Sequence, residues 1–259
     1  MPINEAKRCN SLSGKEWLRN SVSVWSDLKK TKEEKELEHP ASFPVALAER
    51  LIDTFSKEGS AVLDPFNGVG STSVAAENLK RKAIGIDLSD EYCTAARSRC
   101  GANSEIINGD SADVIKGIES DSIDLCLTSP PYWNILNQKR TADYKETRNY
   151  SDESLDLGNI DDYNDFLLAL KNIFKEVYRV LKPKSYCLVN VMDLRKKSQF
   201  SPLHIDMVDV MTELGFIFDD LIIWDRRADY NNFRPLGYPY RFRINKAHEY
   251  ILIFCKPDK

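Results

Sequence analysis

The sequence predicts an α/β protein whose parallel sheet is covered by helices on both faces. Short apolar runs alternate with segments of helical period from about residue 42 to the end. Runs of this kind, joined by helices, are the pattern of strands buried on both sides. The polar residues that stand out, Asp64, Asp87, Asp110 and Ser129, each close or follow such a run. That places them at the carboxyl ends of strands, where open α/β sheets bind their ligands.

The elements follow in order. Ser42 is the expected N-cap of a first helix, with Pro44 in its first turn and Leu47, Leu51 and Phe55 at i, i+4 and i+8. A strand from Ala61 to Phe66 ends in the turn Asn67-Gly68-Val69-Gly70, and a helix opens at Ser71-Thr72. A strand from Ala83 to Leu88 precedes a helix from about Asp90 to Arg99, and a strand from Glu105 to Gly109 leads into Asp110. Ile123 to Leu127 then delivers Thr128-Ser129-Pro130-Pro131. Helical period resumes at Phe166, Leu170, Ile173, Val177 and Leu181 and stops at Pro183. A strand from Tyr186 to Met192, a helix around Ile205 to Leu214 closed by Gly215, and strands Phe216 to Trp224 and Glu249 to Phe254 complete the chain.

Residues 1–38, with Trp17, Trp25 and a mixed-charge run from Lys29 to Glu38, read as a helical arm ahead of a single domain, 39–259. Two stretches interrupt that domain, at about 134–165 and 226–247, and the first is too long for an ordinary connection. Among 259 residues, 42% are hydrophobic, enough for a substantial core. No apolar run approaches the ~20 residues that span a bilayer, and Met1 to Asn20 lacks the apolar stretch of a signal peptide. A cytoplasmic location is expected. The six cysteines form no Cys-x-x-Cys pair and read as small buried hydrophobes. His39, His204 and His248 are scattered, so no metal site is expected. A net charge of −4 requires any nucleic-acid binder to gather its positive charge locally.

Gly68 and Gly70 allow a ligand to approach the backbone closely at a helix N-terminus. Asp87, 19 residues after Gly68, stands where an acid binds ribose hydroxyls. Two features turn this away from a dinucleotide: Ser73 replaces the third glycine, and the carboxylate of Asp64 repels a pyrophosphate but suits an ammonium. The segment Asp64-Pro65-Phe66-Asn67-Gly68-Val69-Gly70-Ser71-Thr72 resembles the cofactor motif of the S-adenosylmethionine-dependent DNA amino-methyltransferases, the N4-cytosine/N6-adenine type. His39-Pro40-Ala41-Ser42-Phe43-Pro44 resembles that family's motif over the methionine part and adenine. By the same resemblance Asp87 and Leu88 lie at the ribose, and Asp110 and Ser111 at the adenine. The likeness is strong over residues 39–133 and returns at 248–254. It implies a Rossmann-like class I methyltransferase fold: a mixed seven-stranded sheet, helices on both faces and an antiparallel last strand.

An exocyclic amino group is a poor nucleophile because its lone pair is delocalised into the base. Its two hydrogens need acceptors. Thr128-Ser129-Pro130-Pro131-Tyr132-Trp133 suits this: the Pro130-Pro131 step leaves carbonyls free of competing donors, Ser129 adds a hydroxyl, and Tyr132 offers a face for an extruded base. By resemblance, Ser-Pro-Pro-Tyr is the form associated with N4-methylcytosine, with adenine N6 as the alternative. Cytosine C5 chemistry needs a Pro-Cys nucleophile, and the sequence has no such dipeptide.

The segment Arg226 to Ala247 carries Arg226, Arg227, Arg234, Arg241, Arg243 and Lys246 against one acid, Asp229. Tyr230, Phe233, Tyr238, Tyr240 and Phe242 are interleaved with them, a composition that suits phosphates and unstacked bases. Trp133, Lys139 and Arg140 are further candidates for DNA contact, and His248-Glu249 reads as structural or supporting. The resemblance implies double-stranded DNA as partner and a cognate restriction endonuclease acting at the same site. Competing readings are an RNA or protein-glutamine methyltransferase, for which Asn-Pro-Pro-Tyr would be expected, a catalytically silent DNA-binding subunit, and a nicotinamide oxidoreductase.

Overall fold

The computed structural model describes residues 8–37, 42–134, 156–196, 198–229 and 235–258. Its main sheet has eight strands in the order β1-β9-β10-β6-β5-β2-β3-β4. These are β1 (Val24–Trp25), β2 (Ala61–Asp64), β3 (Lys82–Asp87), β4 (Ser104–Asn108), β5 (Ile123–Thr128), β6 (Leu181–Val191), β9 (Ile217–Asp225) and β10 (His248–Cys255). A small hairpin, β7 (Leu194–Lys196) and β8 (Gln199–Ser201), follows β6.

Strands β2 to β6 run parallel, and β10 is antiparallel to both β6 and β9. The mixed sheet with an antiparallel last strand is therefore as expected, but the count is eight rather than seven. The additional strand comes from the arm, where Val24 and Trp25 pair in parallel with Ile223 and Trp224. Without it β9 would be an open edge. The arm is thus not purely helical: α1 (Gly14–Asn20) and α2 (Lys32–Glu36) flank this strand, each opened by a capping box, Ser13 with Glu16 and Thr31 with Glu34.

Two apolar clusters cover the two faces. On one, α7 (Tyr163–Val180) inserts Phe166, Leu170, Phe174 and Val177, and α8 (Leu203–Glu213) inserts Met207 and Met211. Each such side chain contributes roughly 1.5–3 kcal/mol on burial. On the other, α3 (Val45–Phe55) buries Leu47, Leu51 and Ile52 together with Trp25, Leu28 and Trp224. The arm shares that second core, which places Trp25 among the most buried side chains at 1% exposure.

Differences from expectation are local. The N-cap of α3 is Pro44, not Ser42, and the Val45 amide donates instead to the Glu34 carboxylate at 2.6 Å. Helix α7 begins at Tyr163, three residues before Phe166, because Asp162 caps it with bonds to the amides of Asn164 and Asp165. Strand β6 starts at Leu181 and runs through Pro183, so the proline follows the helix end rather than making it. Three of the cysteines, Cys93, Cys126 and Cys187, are buried, whereas Cys9 is exposed. No helix among the described residues is long and apolar enough to cross a membrane.

Candidate active site

The turn after β2 is organised from beneath by Asp64, which is 2% exposed. One carboxylate oxygen accepts from the Thr72 hydroxyl at 2.6 Å. The other accepts from the Thr128 hydroxyl at 2.6 Å and the Phe66 amide at 3.0 Å. Burial pushes this carboxyl up to about 6, against the pull of those three donors. Asp64 therefore ties the glycine turn, α4 (Ser71–Asn78) and the end of β5 together. It does not line the cavity above the turn and lies beneath the wall.

Gly70 has φ 86°, and a side chain there would strike Ala96 at 2.9 Å. Asn67 tucks under the turn, where Ser73 donates to its carbonyl oxygen at 2.7 Å, and Gly85 leaves room for it. Ser73, at the position of the missing third glycine, thus has a role in the turn.

Above this turn lies a cavity of about 350 Å³ at the carboxyl ends of β2, β3, β4 and β5. Of the expected residues, Phe66, Gly68, Asp87, Leu88, Asp110, Ser111, Ser129, Pro130 and Pro131 line it. Ser42, Phe43, Pro44, Asp64, Asn67, Gly70, Ser71, Thr72 and Tyr132 are not in its lining. Phe43 is 6% exposed within the core of α3, and its carbonyl accepts from the Ser71 hydroxyl at 2.8 Å, so this group supports the turn from behind. Sequence alone did not single out Tyr92, Asp156, Leu157, Ile160, Asn172 and Ile173, which close the cavity from α5 (Asp90–Arg99), the 3-10 turn Leu157–Asn159 and α7.

Asp87 accepts from the Gly68 amide at 2.7 Å and the Ser89 amide at 3.0 Å. Burial raises its carboxyl to about 6. Asp110 caps α6 (Ser111–Val114) through the Ala112 amide at 2.9 Å and also borders the cavity.

Ser129 leaves β5 at the cavity wall and enters a buried polar network. Its hydroxyl is 3.1 Å from both Tyr132 Oη and the Asn190 carbonyl. Tyr132 donates to Glu249 at 2.9 Å, and the Asn190 side-chain amide donates to the same carboxylate oxygen at 2.6 Å. Arg226 holds the other oxygen of Glu249. The Tyr132 ring is 6% exposed, which leaves it no open face for a stacked base. Trp133 is likewise buried at 5%, with its indole N–H on the Ile160 carbonyl at 2.8 Å and Lys196 over its ring. Its φ of 48° is uncommon for such a residue and turns the chain sharply after the Pro-Pro step.

Glu249 moves from a supporting assignment to the centre of this network, and Asn190 joins it. Each carried a signal: Asn190 is the lone polar residue in Cys187 to Met192, and Glu249 opens an apolar strand.

The basic segment divides. Arg226 is spoken for by Glu249 and stacks over Trp224, and Arg227 pairs with Asp225 at 2.6 Å. Lys246 stands 3.9 Å from Asp193 and over the Phe200 ring. Arg241 is exposed and Arg243 partly so, beside the exposed rings of Tyr238, Tyr240 and Phe242. Lys139, Arg140, Arg234, Tyr230, Phe233 and His39 lie outside the described residues.

A family model for DNA methylases of the N6/N4 type matches residues 2–98 and 123–259. The chain belongs to this DNA methylase family. Type II methyltransferase M2.DpnII of Streptococcus pneumoniae is 45% identical over 83 residues, 32% of this chain and 31% of that protein. Type II methyltransferase M.MjaI of Methanocaldococcus jannaschii is 31% identical over 170 residues, 60% of this chain and 56% of that protein. The matches thus cover less than two thirds of either relative. An S-adenosylmethionine-dependent methyltransferase from Methanosarcina mazei shares the fold, with TM-score 0.51 at 15% identity over 81% of this chain and 98% of that one.

The cofactor of this DNA methylase is S-adenosylmethionine. The residues present fit it. The cavity has the size of a small-molecule site, Phe66, Leu88 and Ile173 give apolar walls for a ring, and the Asp87 carboxylate borders it with lone pairs left for hydroxyl donors.

Proposed function

We propose that this DNA methylase transfers a methyl group from S-adenosylmethionine to the exocyclic N4 amino group of a cytosine turned out of double-stranded DNA. The observation that carries this reading is the position of Ser129, which lines the cavity while its hydroxyl donates to the Asn190 carbonyl and stands 3.1 Å from Tyr132 Oη, the phenol bonded to Glu249. When bound, the cofactor supplies an electrophilic methyl group on a sulfonium.

The chain's own residues prepare the amino group. Ser129 accepts one amino hydrogen, and in this reading the carbonyl of Pro130, which also lines the cavity, accepts the other. Because Tyr132 gives its proton to Glu249, its oxygen acts as an acceptor, towards the Asn190 side-chain amide at 3.1 Å and towards Ser129 at 3.1 Å. As the nitrogen gains its methyl group it must lose a proton. Ser129 takes that proton as its own hydroxyl hydrogen turns from the Asn190 carbonyl to Tyr132, and Tyr132 passes its own to Glu249. Asn190 and Arg226 keep Glu249 in line for this. Tyr132 therefore acts through its hydroxyl rather than as a stacking platform.

Arg241 and Arg243, with Tyr238, Tyr240 and Phe242, form the DNA-facing segment in this reading. Asp87 takes the ribose hydroxyls and Asp110 the adenine amino group. The choice of cytosine N4 rests on Ser129, since the family spans both N4 and N6 chemistry. A restriction endonuclease acting at the same site is part of the proposal, supported by the Type II names of the relatives.

The test is to incubate the protein with DNA and cofactor, digest to nucleosides and separate them by mass spectrometry. N4-methylcytosine is the expected product. N6-methyladenine would overturn the choice of base while leaving amino-methylation intact, and methylated RNA without methylated DNA would overturn the substrate.

A further inference from the structure

Hairpin β7–β8 lines no part of the cofactor cavity, yet it grows from the same end of the sheet. Strand β6 carries Asn190 just before its end at Val191, and the hairpin opens at Leu194. Its two feet are fastened together. Asp193, ahead of β7, is 4% exposed, and one of its carboxylate oxygens lies 2.5 Å from His204 Nδ1 on α8, beyond β8. The His204 ring stacks on Tyr250 of β10 at 4.0 Å. The hairpin is therefore an anchored projection rather than a loose connection.

Its pairing, Leu194 with Ser201, Arg195 with Phe200 and Lys196 with Gln199, decides which side chains share a face. Lys196 and Gln199 take one face. There Lys196 donates to the Asn134 side-chain carbonyl at 3.1 Å and stands over the Trp133 ring at 4.2 Å, so the hairpin abuts the end of the catalytic loop. Both residues also line a cavity of about 480 Å³ together with Asp161 and Asp162. Those two acids make this face unsuitable for a polyanion.

Arg195 and Phe200 take the other face. Phe200 is 38% exposed, with the Arg195 guanidinium 5.1 Å from its ring centre and the Lys246 ammonium 4.7 Å from it. Lys246 arrives from the segment between β9 and β10, so one ring gathers cations from two parts of the chain. Among the described residues neither cation has a carboxylate within hydrogen-bond reach. Lys246 stands 3.9 Å from Asp193, and Arg195 bonds to the Ser198 carbonyl at 3.3 Å. Two like charges gathered at one ring repel each other, and an anion bound between them removes that cost. In a DNA methylase the fitting anion is a backbone phosphate, which guanidinium and ammonium groups bind. Lys246 also follows Arg241 and Arg243 on the same segment, so this face extends the DNA-facing stretch towards the catalytic loop.

We propose that the Arg195–Phe200–Lys246 face of hairpin β7–β8 is a second DNA-binding element, holding a backbone phosphate beside the catalytic loop. Such a contact sets the position of the duplex and carries no sequence information. The inference rests on duplex DNA being the substrate, and not on which base is methylated.

The test measures binding of a mixed-sequence duplex by fluorescence anisotropy over a range of salt, using the full-length protein. Arg195→Gln/Lys246→Gln should bind about tenfold more weakly at about 0.1 M salt, with the slope of log affinity against log salt lowered by about 1 to 2. Arg195→Gln alone, at an exposed position, should show about half of that change in slope. Arg195→Lys/Lys246→Arg, which keeps both charges, should stay within about threefold of wild type and keep its slope. Cofactor affinity should be the same in all of these proteins. Removing the two charges from an Arg241→Gln/Arg243→Gln protein should lower the slope further by a similar amount, since different phosphates are released. An unchanged slope in the neutral variants, an equal loss in the charge-keeping pair, or no further loss in the combined variant would overturn the proposal. Any of these with a wild type that still binds and methylates the duplex refutes the hairpin alone. A wild type that neither binds nor methylates it refutes the DNA reading, and the hairpin's role with it.

Discussion

Tyr132 Oη and a carboxylate oxygen of Glu249, 117 residues apart in the chain, are joined by a 2.9 Å hydrogen bond. The bond links the loop after β5 to the start of β10, across β6, where Asn190 donates to both partners. An apolar strand start such as Glu249 would ordinarily avoid a buried carboxylate. Here three donors satisfy it, from Tyr132, Asn190 and Arg226.

Removing the Tyr132 hydroxyl tests that bond directly. Tyr132→Phe should keep the fold and the cofactor affinity, yet lower the transfer rate by about 10²-fold, a typical size for a lost proton-transfer group. Glu249→Gln should have an effect of the same order. Transfer assays with separately measured cofactor binding check both, and a Tyr132→Phe enzyme as fast as wild type would remove the proton route.

Cofactor binding should weaken in acid. The Asp87 carboxyl sits at about 6 in the folded protein because of burial, above its ordinary 3.8. Ribose hydroxyls donate to the ionised form, so affinity is full well above pH 6 and declines as pH falls through it. Asp87→Asn should bind weakly at every pH and lose most of this dependence. Calorimetric titration between pH 5 and pH 8 reads the difference.

Asp64 carries a stability effect of opposite appearance. Its folded carboxyl lies at about 6 and its unfolded value at 3.8, so between them the folded state holds the extra proton. For this group, stability rises as pH falls from 6 towards 4, by on the order of 3 kcal/mol at most. Thr128→Val, which deletes a donor to Asp64, should cost about 1.5–3 kcal/mol at pH 7 and less in acid. Urea unfolding at the two pH values measures it.

Gly85→Ala should damage the turn without touching the cavity. A methyl group there would fall 2.4 Å from Asn67 Cγ, and Asn67 is fixed by Ser73. A stability loss of about 1–3 kcal/mol is expected for such overpacking. Cofactor affinity should fall with it, whereas a stable variant with normal affinity would show that Asn67 can move freely.

Neutralising Arg241 and Arg243 together should weaken DNA binding and lower the slope of log affinity against log salt by up to about 2. Arg226→Ala should act differently, slowing transfer through Glu249 with less change in the salt slope. Equal salt effects from both substitutions would mean that the segment was divided wrongly.

Much of the fold was legible because periodicity and strand-end polarity are local signals. Asp87, Asp110 and Ser129 follow strands that their own neighbours define, and the sheet order brings all three to one cavity. What remained hidden depends on pairings far apart in sequence. Val24 and Trp25 are too few to read as a strand until β9 is there to receive them. Glu249 and Asn190 meet only because β6 and β10 are antiparallel neighbours with Asn190 opposite Ile251. Asp64 leads the glycine turn in the sequence, yet one of its three donors, Thr128, comes from a strand that only the fold brings beneath that turn. Aromatic residues misled most: the sequence shows that Tyr132 and Trp133 are flat, but only packing shows that neither face is open.

The central claim is that Ser129 presents a DNA amino group to the cofactor. It is tested most directly by methyl transfer from labelled S-adenosylmethionine to duplex DNA, comparing the wild-type protein with Ser129→Ala. The wild type should label DNA, and Ser129→Ala should bind cofactor normally while labelling it at least about 10²-fold more slowly. Equal labelling by the two proteins, or no label in DNA from the cofactor-bound wild type, would contradict the account.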